Sequence, residues 1–322
     1  MISEIKIKSC NLCGSSKFKF LFFSKDRMFN IPGQFTVKKC IECSLVFLDP
    51  QPSQDVLKKH YPSKKYYSYH RSKKKGLFEF VREYLVEHSY SPNVFSIFVS
   101  SFIQSVPAIP FYVKNGKLLD IGCGDGDTLT LLKKLGWKTY GLDIDAKAVE
   151  AAKQRKLNVK MGTFRELSSY PDNYFDVIRM YHVIEHIDDP SLCLSLISKK
   201  LKREGELLIG TPNVKSIIAG LFKAYWYNLD TPRHLFLFSP SILAKLLGKN
   251  NFQVNKVEFC SVGGIAGSLQ YALRDLINTK TELVYNVVII LLLYPLEWLL
   301  NKLRVGDIFV VSSSIKSSIK VS

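Results

Sequence analysis

One ten-residue stretch restricts the fold of this chain more than any other. Leu118-Leu-Asp-Ile-Gly-Cys-Gly-Asp-Gly-Asp127 joins an apolar run to three glycines at alternate positions, and a helical pattern over 128–135, closed by Gly136, follows at once. Without a Cβ, glycine lets the backbone turn tightly and approach a ligand closely. A strand that feeds such a turn and then a helix reads as the first half of a βαβ unit with a nucleotide-type site at the strand's carboxyl end. Asp120 stands near that strand end, and a second acidic residue, Asp143, closes the next apolar strand, 138–142.

The same alternation continues downstream. Strand patterns at 158–161, 175–180, 206–210, 253–260 and 307–312 are interleaved with helical ones at 146–155, 190–201 and 241–249. Ser239 is placed to cap the last of these helices, with Pro240 at its first position. Strands alternating with helices imply parallel βαβ units and a doubly wound α/β sheet. With 322 residues the natural division is into two units. The expected boundaries are 1–52 for a small cysteine-bearing domain, 53–112 for a helical linker or cap, and 113–322 for the ligand-binding domain. Within the last, 213–238 reads as an acceptor-side insertion and 261–305 as an apolar helical one. The tract 64–75, with Tyr66, Tyr67, Tyr69 and His70 among its lysines, reads as solvated.

The segment D-I-G-C-G-D-G followed by G-L-D-I-D resembles motifs I and II of class I S-adenosylmethionine (SAM) dependent methyltransferases. The resemblance implies a Rossmann-like, seven-stranded methyltransferase sheet whose last strand inserts antiparallel between strands five and six. The 307–312 strand, reached after a helical excursion, stands in the right order for it. The resemblance also implies SAM as cofactor. Asp120 and the loop of Gly122, Cys123, Gly124 and Gly126 would hold its methionine part, with Asp120 facing the ammonium. Asp143, with Ile144 beside it, would hold the ribose. Gly162-Thr163-Phe164 matches the segment that cups the adenine, with Thr163 where the family often has an acidic residue, and Tyr181 completes the set. Dinucleotide enzymes are the rival for such a loop, but they favour G-x-G-x-x-G, and here the third glycine comes one residue sooner.

Two further segments bear on the acceptor. In Tyr181-His-Val-Ile-Glu-His-Ile-Asp-Asp-Pro190, a helical turn from His182 would set His182, Glu185 and His186 on one face, at the sheet edge where open α/β folds bind ligands. Methyl transfer needs an acceptor that is positioned and deprotonated, and a histidine near neutral pKa can serve as base. H-x-x-E-H also matches the inverzincin protease motif, which requires mid-helix placement. V-I-E-H-I-x-D-P is widespread in the superfamily, including ubiquinone-biosynthesis-like members, so an architectural role is the alternative. The second segment, Asp230-Thr-Pro-Arg-His-Leu-Phe-Leu-Phe-Ser-Pro240, resembles one found in methyltransferases of sugar and cell-surface glycan pathways. There Arg233 would clamp a phosphate or carboxylate and His234 would offer another base. The alternative is a plain cap for the helix that follows.

Seven cysteines include two C-x-x-C pairs, Cys10 with Cys13 and Cys40 with Cys43, separated by 26 residues. Such knuckles supply four thiolates to a closed, structural zinc site. Cys13-Gly14 gives one knuckle a tight turn, while Ser44 stands where Gly is common in the other. The arrangement resembles methyltransferases with an N-terminal zinc-ribbon-like domain, some acting on sugar nucleotides. Sugar C-methyltransferases of that type carry a further C-terminal domain, whereas about 60 residues follow Cys260 here. Cys123, Cys193 and Cys260 read as small buried residues.

The formal net charge is +17, with 17 Lys/Arg against 8 Asp/Glu in residues 1–88. Such a surface attracts phosphates, anionic lipids or nucleic acid. No aromatic-basic RNA-binding signature and no N/D-P-P-Y/F motif accompany it, which disfavours nucleic acid. The stretch after Met1 has no apolar run, so a signal peptide is not expected and a cytoplasmic location is. Residues 283–296 are strongly apolar but fall short of the ~20 residues of a spanning helix. Pro295 and Glu297 lie at the end of this stretch, which reads as a buried or interfacial helical hairpin, with peripheral membrane contact through 283–300. The expected function is O- or C-methylation of a small-molecule acceptor on a sugar, glycan or lipid-linked intermediate. The rivals are a non-catalytic zinc-ribbon scaffold and a nucleic-acid methyltransferase.

Overall fold

A computed structural model of the chain describes residues 4–62, 77–102, 109–279 and 282–316. The N-terminal part is made of short strands: β1 (Glu4–Ile5), β2 (Phe18–Ser24), β3 (Phe35–Cys40), β4 (Val46–Leu48) and β5 (Gln51–Pro52). β1 pairs with β5, and β2, β3 and β4 form an antiparallel meander. Helices α1 (Gln54–Lys59), α2 (Leu77–Glu87) and α3 (Val94–Phe102) follow. The tract 64–75 lies outside the described residues.

The strand–glycine–helix unit then opens the main sheet. In chain order it contains β6 (Lys117–Ile121), α4 (Asp127–Lys134), β7 (Lys138–Asp143), α5 (Ala146–Gln154), β8 (Asn158–Met161), β9 (Phe175–Tyr181), α6 (Pro190–Lys200) and β10 (Leu201–Pro212). After α7 (Ile217–Phe222) and β11 (Phe236–Leu237) come α8 (Pro240–Lys249), β12 (Phe252–Phe259), α9 (Gly264–Ile277), α10 (Val287–Lys302) and β13 (Ile308–Ile315). The seven strands run in the order β12-β13-β10-β9-β6-β7-β8. β13 lies antiparallel to both neighbours, and the strands from β10 to β8 are parallel. This is the Rossmann-like α/β sheet that the resemblance implied, with its inserted last strand.

Strand alternation sorts the core onto two faces. Leu118, Val177 and Leu208 meet Leu129 of α4 and Val149 of α5, while Leu119, Ile178 and Ile209 pack with Ile197 of α6 and Leu243 of α8. The second face also receives Leu45 and Phe47 from the N-terminal strands. Each such side chain fully removed from water contributes roughly 1.5–3 kcal/mol.

The end of the 213–238 stretch departs from a free acceptor-side insertion. β11 pairs antiparallel with β4, setting Phe236 opposite Phe47, and Leu48 N–H donates to the Leu235 carbonyl at 3.1 Å. The N-terminal sheet therefore borrows its outer strand from the ligand-binding domain, in the order β11-β4-β3-β2.

In the apolar stretch, α10 runs through Pro295 to Lys302. A proline inside a helix removes a hydrogen bond and costs ~3 kcal/mol. The second half of α10 is held in place by its ties to α9. The buried Glu297 carboxylate accepts from Gly263 N (2.6 Å) and Ile265 N (2.9 Å) at the α9 N-terminus. Asn301 bonds both the N–H and the carbonyl of Ser261 at 3.1 Å. Among the described residues no helix is long and apolar enough to cross a membrane.

Candidate functional site

The glycine loop sits at the carboxyl end of β6. Gly122, Gly124 and Gly126 have φ of +74°, +56° and +80°. A Cβ at Gly122 would lie 2.4 Å from Val183 Cγ2, and one at Gly126 2.2 Å from Leu157 Cδ1, whereas nothing lies within 4 Å of one at Gly124. Packing thus requires two of the glycines, and the third leaves open space over the loop. Asp143, at the end of β7, holds the loop: its Oδ2 accepts from Gly124 N at 2.7 Å and its Oδ1 from Asp145 N at 2.9 Å. Burial pushes the Asp143 carboxyl upward, against those two amide bonds. Cys123 packs its sulfur toward Gly141 and meets the loop through its backbone.

Asp120 is placed differently from the expectation. β6 and β9 are parallel and in register, which sets Asp120 opposite Arg179. Arg179 Nη1 donates to both carboxylate oxygens, at 2.9 and 2.8 Å, and both side chains are buried. The carboxylate is therefore spent on a neighbour strand instead of standing open to a ligand's ammonium. Arg179 was missed in the sequence; its one signal was an arginine inside the apolar run Phe175–Tyr181. Its Nε is buried with no hydrogen-bond partner among the described residues, and its guanidinium lies 5.1 Å from the Tyr181 ring centroid. Register puts Asp120, Asp143, Arg179 and Tyr181 on one sheet face, since Asp143 is two residues beyond Gly141, the partner of Asp120.

Further along the same edge, Thr163 caps the 3₁₀ turn Phe164–Ser169, its hydroxyl accepting from Arg165 N at 3.2 Å. Phe164 is buried beneath it, while Ile144 and Met161 are exposed beside the end of β7.

At the end of β9 the expected α-helical face is instead a left-handed residue, His182 (φ +55°), followed by the 3₁₀ turn Ile184–His186. The three residues still meet, and His234 joins them. Glu185 is 0% exposed. Its Oε1 lies 3.2 Å from His182 Nδ1 and 3.9 Å from His234 Nε2, and its Oε2 accepts from Thr211 Oγ1 at 3.0 Å. His234 Nδ1 is 2.9 Å from the Asn228 carbonyl. His186 Nδ1 lies 3.0 Å from the Arg233 carbonyl and 3.1 Å from Tyr61 Oη, and its ring is 4.6 Å from that of His234. Burial opposes ionisation of Glu185, but the His182 bond and the neighbouring imidazoles outweigh it and hold the carboxyl down to about 2. Burial pushes His186 down to about 4 and lowers His234 as well. His182 has 28% of its side chain exposed, against 6% for His234. Ligand atoms of Glu185, His186 and His234 lie within 4.8 Å of one another, a spacing that a divalent ion can bridge.

Arg233 corrects the anion-clamp expectation. It is 1% exposed. Nε donates to both Asp230 oxygens at 3.0 Å, Nη1 to Asp26 Oδ2 and the His60 carbonyl at 2.9 Å, and Nη2 to Asp26 Oδ1 at 3.1 Å. Asp26 also meets His60 Nδ1 at 2.7 Å. With its donors committed inside the protein, Arg233 ties the acceptor-side segment to the N-terminal module and has no fork left for a phosphate. Asp230 is held down to about 2, burial being overcome by Arg233. Asp26 and His60 carried no local signal in the sequence.

The four cysteines of the two knuckles converge. Sγ of Cys10 and Cys43 are 3.5 Å apart, as are those of Cys13 and Cys40, and all four lie within 4.8 Å of one another. A tetrahedron with Zn–S bonds of about 2.3 Å has edges of about 3.8 Å, which this spacing fits. Ser44 adopts φ +70°, the equivalent of Gly14 at +77° in the first knuckle, so the turn forms without a glycine.

Residues 99–257, which span the glycine loop, Asp143 and the His182–Glu185 pair, match the family model of a methyltransferase domain. The match and the curated relatives support a class I SAM-dependent methyltransferase domain in this part of the chain. Among curated proteins it is similar to the ubiquinone biosynthesis O-methyltransferase of Pelagibacter ubique (strain HTCC1062), 28% identical over 186 residues, covering 54% of this chain and 77% of that protein. The enzyme of the same name from Bartonella tribocorum is 30% identical over 161 residues, covering 46% of this chain and 64%, less than two thirds, of its own length. Among solved structures, the magnesium protoporphyrin IX methyltransferase of Synechocystis PCC 6803 superposes with a TM-score of 0.48 at 13% identity, covering 82% of this chain and all of that one.

Proposed function

We propose that the chain transfers the methyl group of SAM to a hydroxyl of a small-molecule acceptor carried on a sugar, glycan or lipid, with His182 as the base. The observation that carries this reading is the His182–Glu185 contact of 3.2 Å at the end of β9. An ionised, buried Glu185 accepts the Nδ1 proton of His182, which fixes the tautomer and leaves the Nε2 lone pair for the acceptor hydroxyl. As the hydroxyl proton moves to Nε2, the carboxylate stabilises the imidazolium. His186 and His234, lowered by burial, stay neutral and keep the 3₁₀ turn and the 230–240 segment in place. The name O-methyltransferase of the curated relatives supports an oxygen acceptor.

Bound SAM supplies a methyl carbon already activated by the sulfonium charge. The open space at Gly124 fits the close approach of its methionine part, the Asp143 carboxylate fits its ribose hydroxyls, and exposed Ile144 and Met161 fit the faces of an apolar base. The Cys10, Cys13, Cys40 and Cys43 thiolates would hold a structural zinc.

The test is label transfer from methyl-tritiated SAM into extracted glycolipids. His182→Ala and Glu185→Gln should each lower incorporation by about 100-fold or more, the range for a lost general base, with SAM affinity unchanged. Equal incorporation by wild type and both variants would remove the base assignment. A folded protein that binds SAM but labels no fraction would favour a non-catalytic scaffold.

A further inference from the structure

We infer that α3 and α10 together form a face that seats this protein on an anionic lipid surface. The two helices lie far apart in sequence but act as one unit. Trp298 Nε1 of α10 donates to the Ser101 carbonyl at 3.0 Å, and Tyr294 Oη donates to that of Phe102. These bonds satisfy carbonyls that the end of α3 would otherwise leave unpaired.

The joined surface is apolar where a soluble surface is normally polar. Phe98 and Phe102 on α3 pack edge to face with centroids 5.2 Å apart, at 62% and 52% exposure. On α10, Val288, Leu291, Leu292 and Leu299 recur at intervals of three, four and seven residues and so share a stripe, with Leu292 74% exposed. α3 carries no charged residue, and α10 carries none before Glu297, which faces inward. Contiguous exposed apolar surface of this kind marks an interaction site. α10, at 16 residues, is about 24 Å long, short of the ~30 Å hydrocarbon core, so the pair lies in the interface and does not span it.

Charge identifies what covers the face. Beside the two helices is a cavity of about 730 Å³, lined by Ile97 and Ser100 of α3 and by Phe259 and Cys260 at the end of β12. Its charged wall is mostly basic: Lys256, Lys302 and Arg304 against Glu258, which is paired to Lys256 at 2.7 Å. A second copy would bring the same basic rim, and a chain of net charge +17, against itself. An anionic bilayer offers apolar depth for the helices and opposite charge for the rim. Cys260, on the wall of this cavity, has its Sγ 3.6 Å from Tyr181 Oη at the end of β9. The inference does not depend on which acceptor is methylated.

The test is co-sedimentation of the full chain with phosphatidylcholine vesicles, with and without 30 mol% phosphatidylglycerol, at low and high salt. Binding to the anionic vesicles should be at least tenfold stronger than to neutral ones and should weaken in high salt. Phe98→Gln combined with Leu292→Gln should lower it at least tenfold. Both positions are exposed, and unchanged SAM affinity and circular dichroism would certify the fold. Absence of binding to anionic vesicles, or equal binding by the double variant, would overturn the inference. So would a wild-type dimer in light scattering that the double variant abolishes, since the face would then belong to a second copy.

Discussion

Nη2 of Arg233 donates to Oδ1 of Asp26 at 3.1 Å, across 207 positions of sequence, and both side chains are wholly buried. Removing the guanidinium would leave the Asp26 and Asp230 carboxylates uncompensated in the interior. Breaking a buried pair this way typically costs about 3–5 kcal/mol. Arg233→Met should therefore lower the urea midpoint sharply, while SAM affinity of the protein that remains folded stays near wild type. A variant as stable as wild type, with impaired turnover, would return Arg233 to the role of acceptor clamp.

The thiolate cluster carries a second expectation. Purified protein should contain one zinc per chain by elemental analysis, and Cys43→Ser should lower that content. Stripping the metal with a chelator should loosen the N-terminal sheet first. Because β4 pairs with β11, amide exchange should then rise at Leu237 N–H as well as within β3 and β4. Metal-free protein with unchanged exchange would show that the cysteines need no ion.

Acid should weaken the fold through His186. Its folded pKa is held down to about 4 by burial, against about 6.5 for an unperturbed histidine. Between these values the unfolded chain binds a proton that the folded chain does not, so stability rises with pH there. The contribution is fully present above about pH 6.5 and is lost as pH falls toward 4, by on the order of 3 kcal/mol. Thermal denaturation of wild type and His186→Gln should show a shallower decline in the variant between pH 6.5 and 4. Parallel declines would contradict this.

The sequence made the main sheet legible because its signals are local. Three glycines behind Ile121, the aspartate ending 138–143, and Ser239-Pro240 before α8 each act within a few residues of themselves. The order of β13 followed from family topology. What stayed hidden depends on register or on distant partners. Asp120 meets Arg179 only because β6 and β9 align in parallel. Arg233 looked like a ligand clamp because Asp26 and His60, which consume its donors, lie in another part of the chain. Phe236 and Leu237 are an apolar pair too short to read as a strand, and only β4 makes them one. The bonds of Glu297 and Asn301 to the α9 side, which hold α10 beyond Pro295, join residues more than 30 positions apart and left no local signal.

The cofactor pocket itself is tested most directly by titration calorimetry of zinc-loaded protein with SAM. Wild type should bind one SAM per chain, and Asp143→Ala, which removes the carboxylate held at 2.7 Å from Gly124 N, should weaken it about 100-fold or more while leaving the circular dichroism unchanged. Folded wild type that gives no heat with SAM but binds a nicotinamide dinucleotide, or an Asp143→Ala variant of wild-type affinity, would contradict the pocket described.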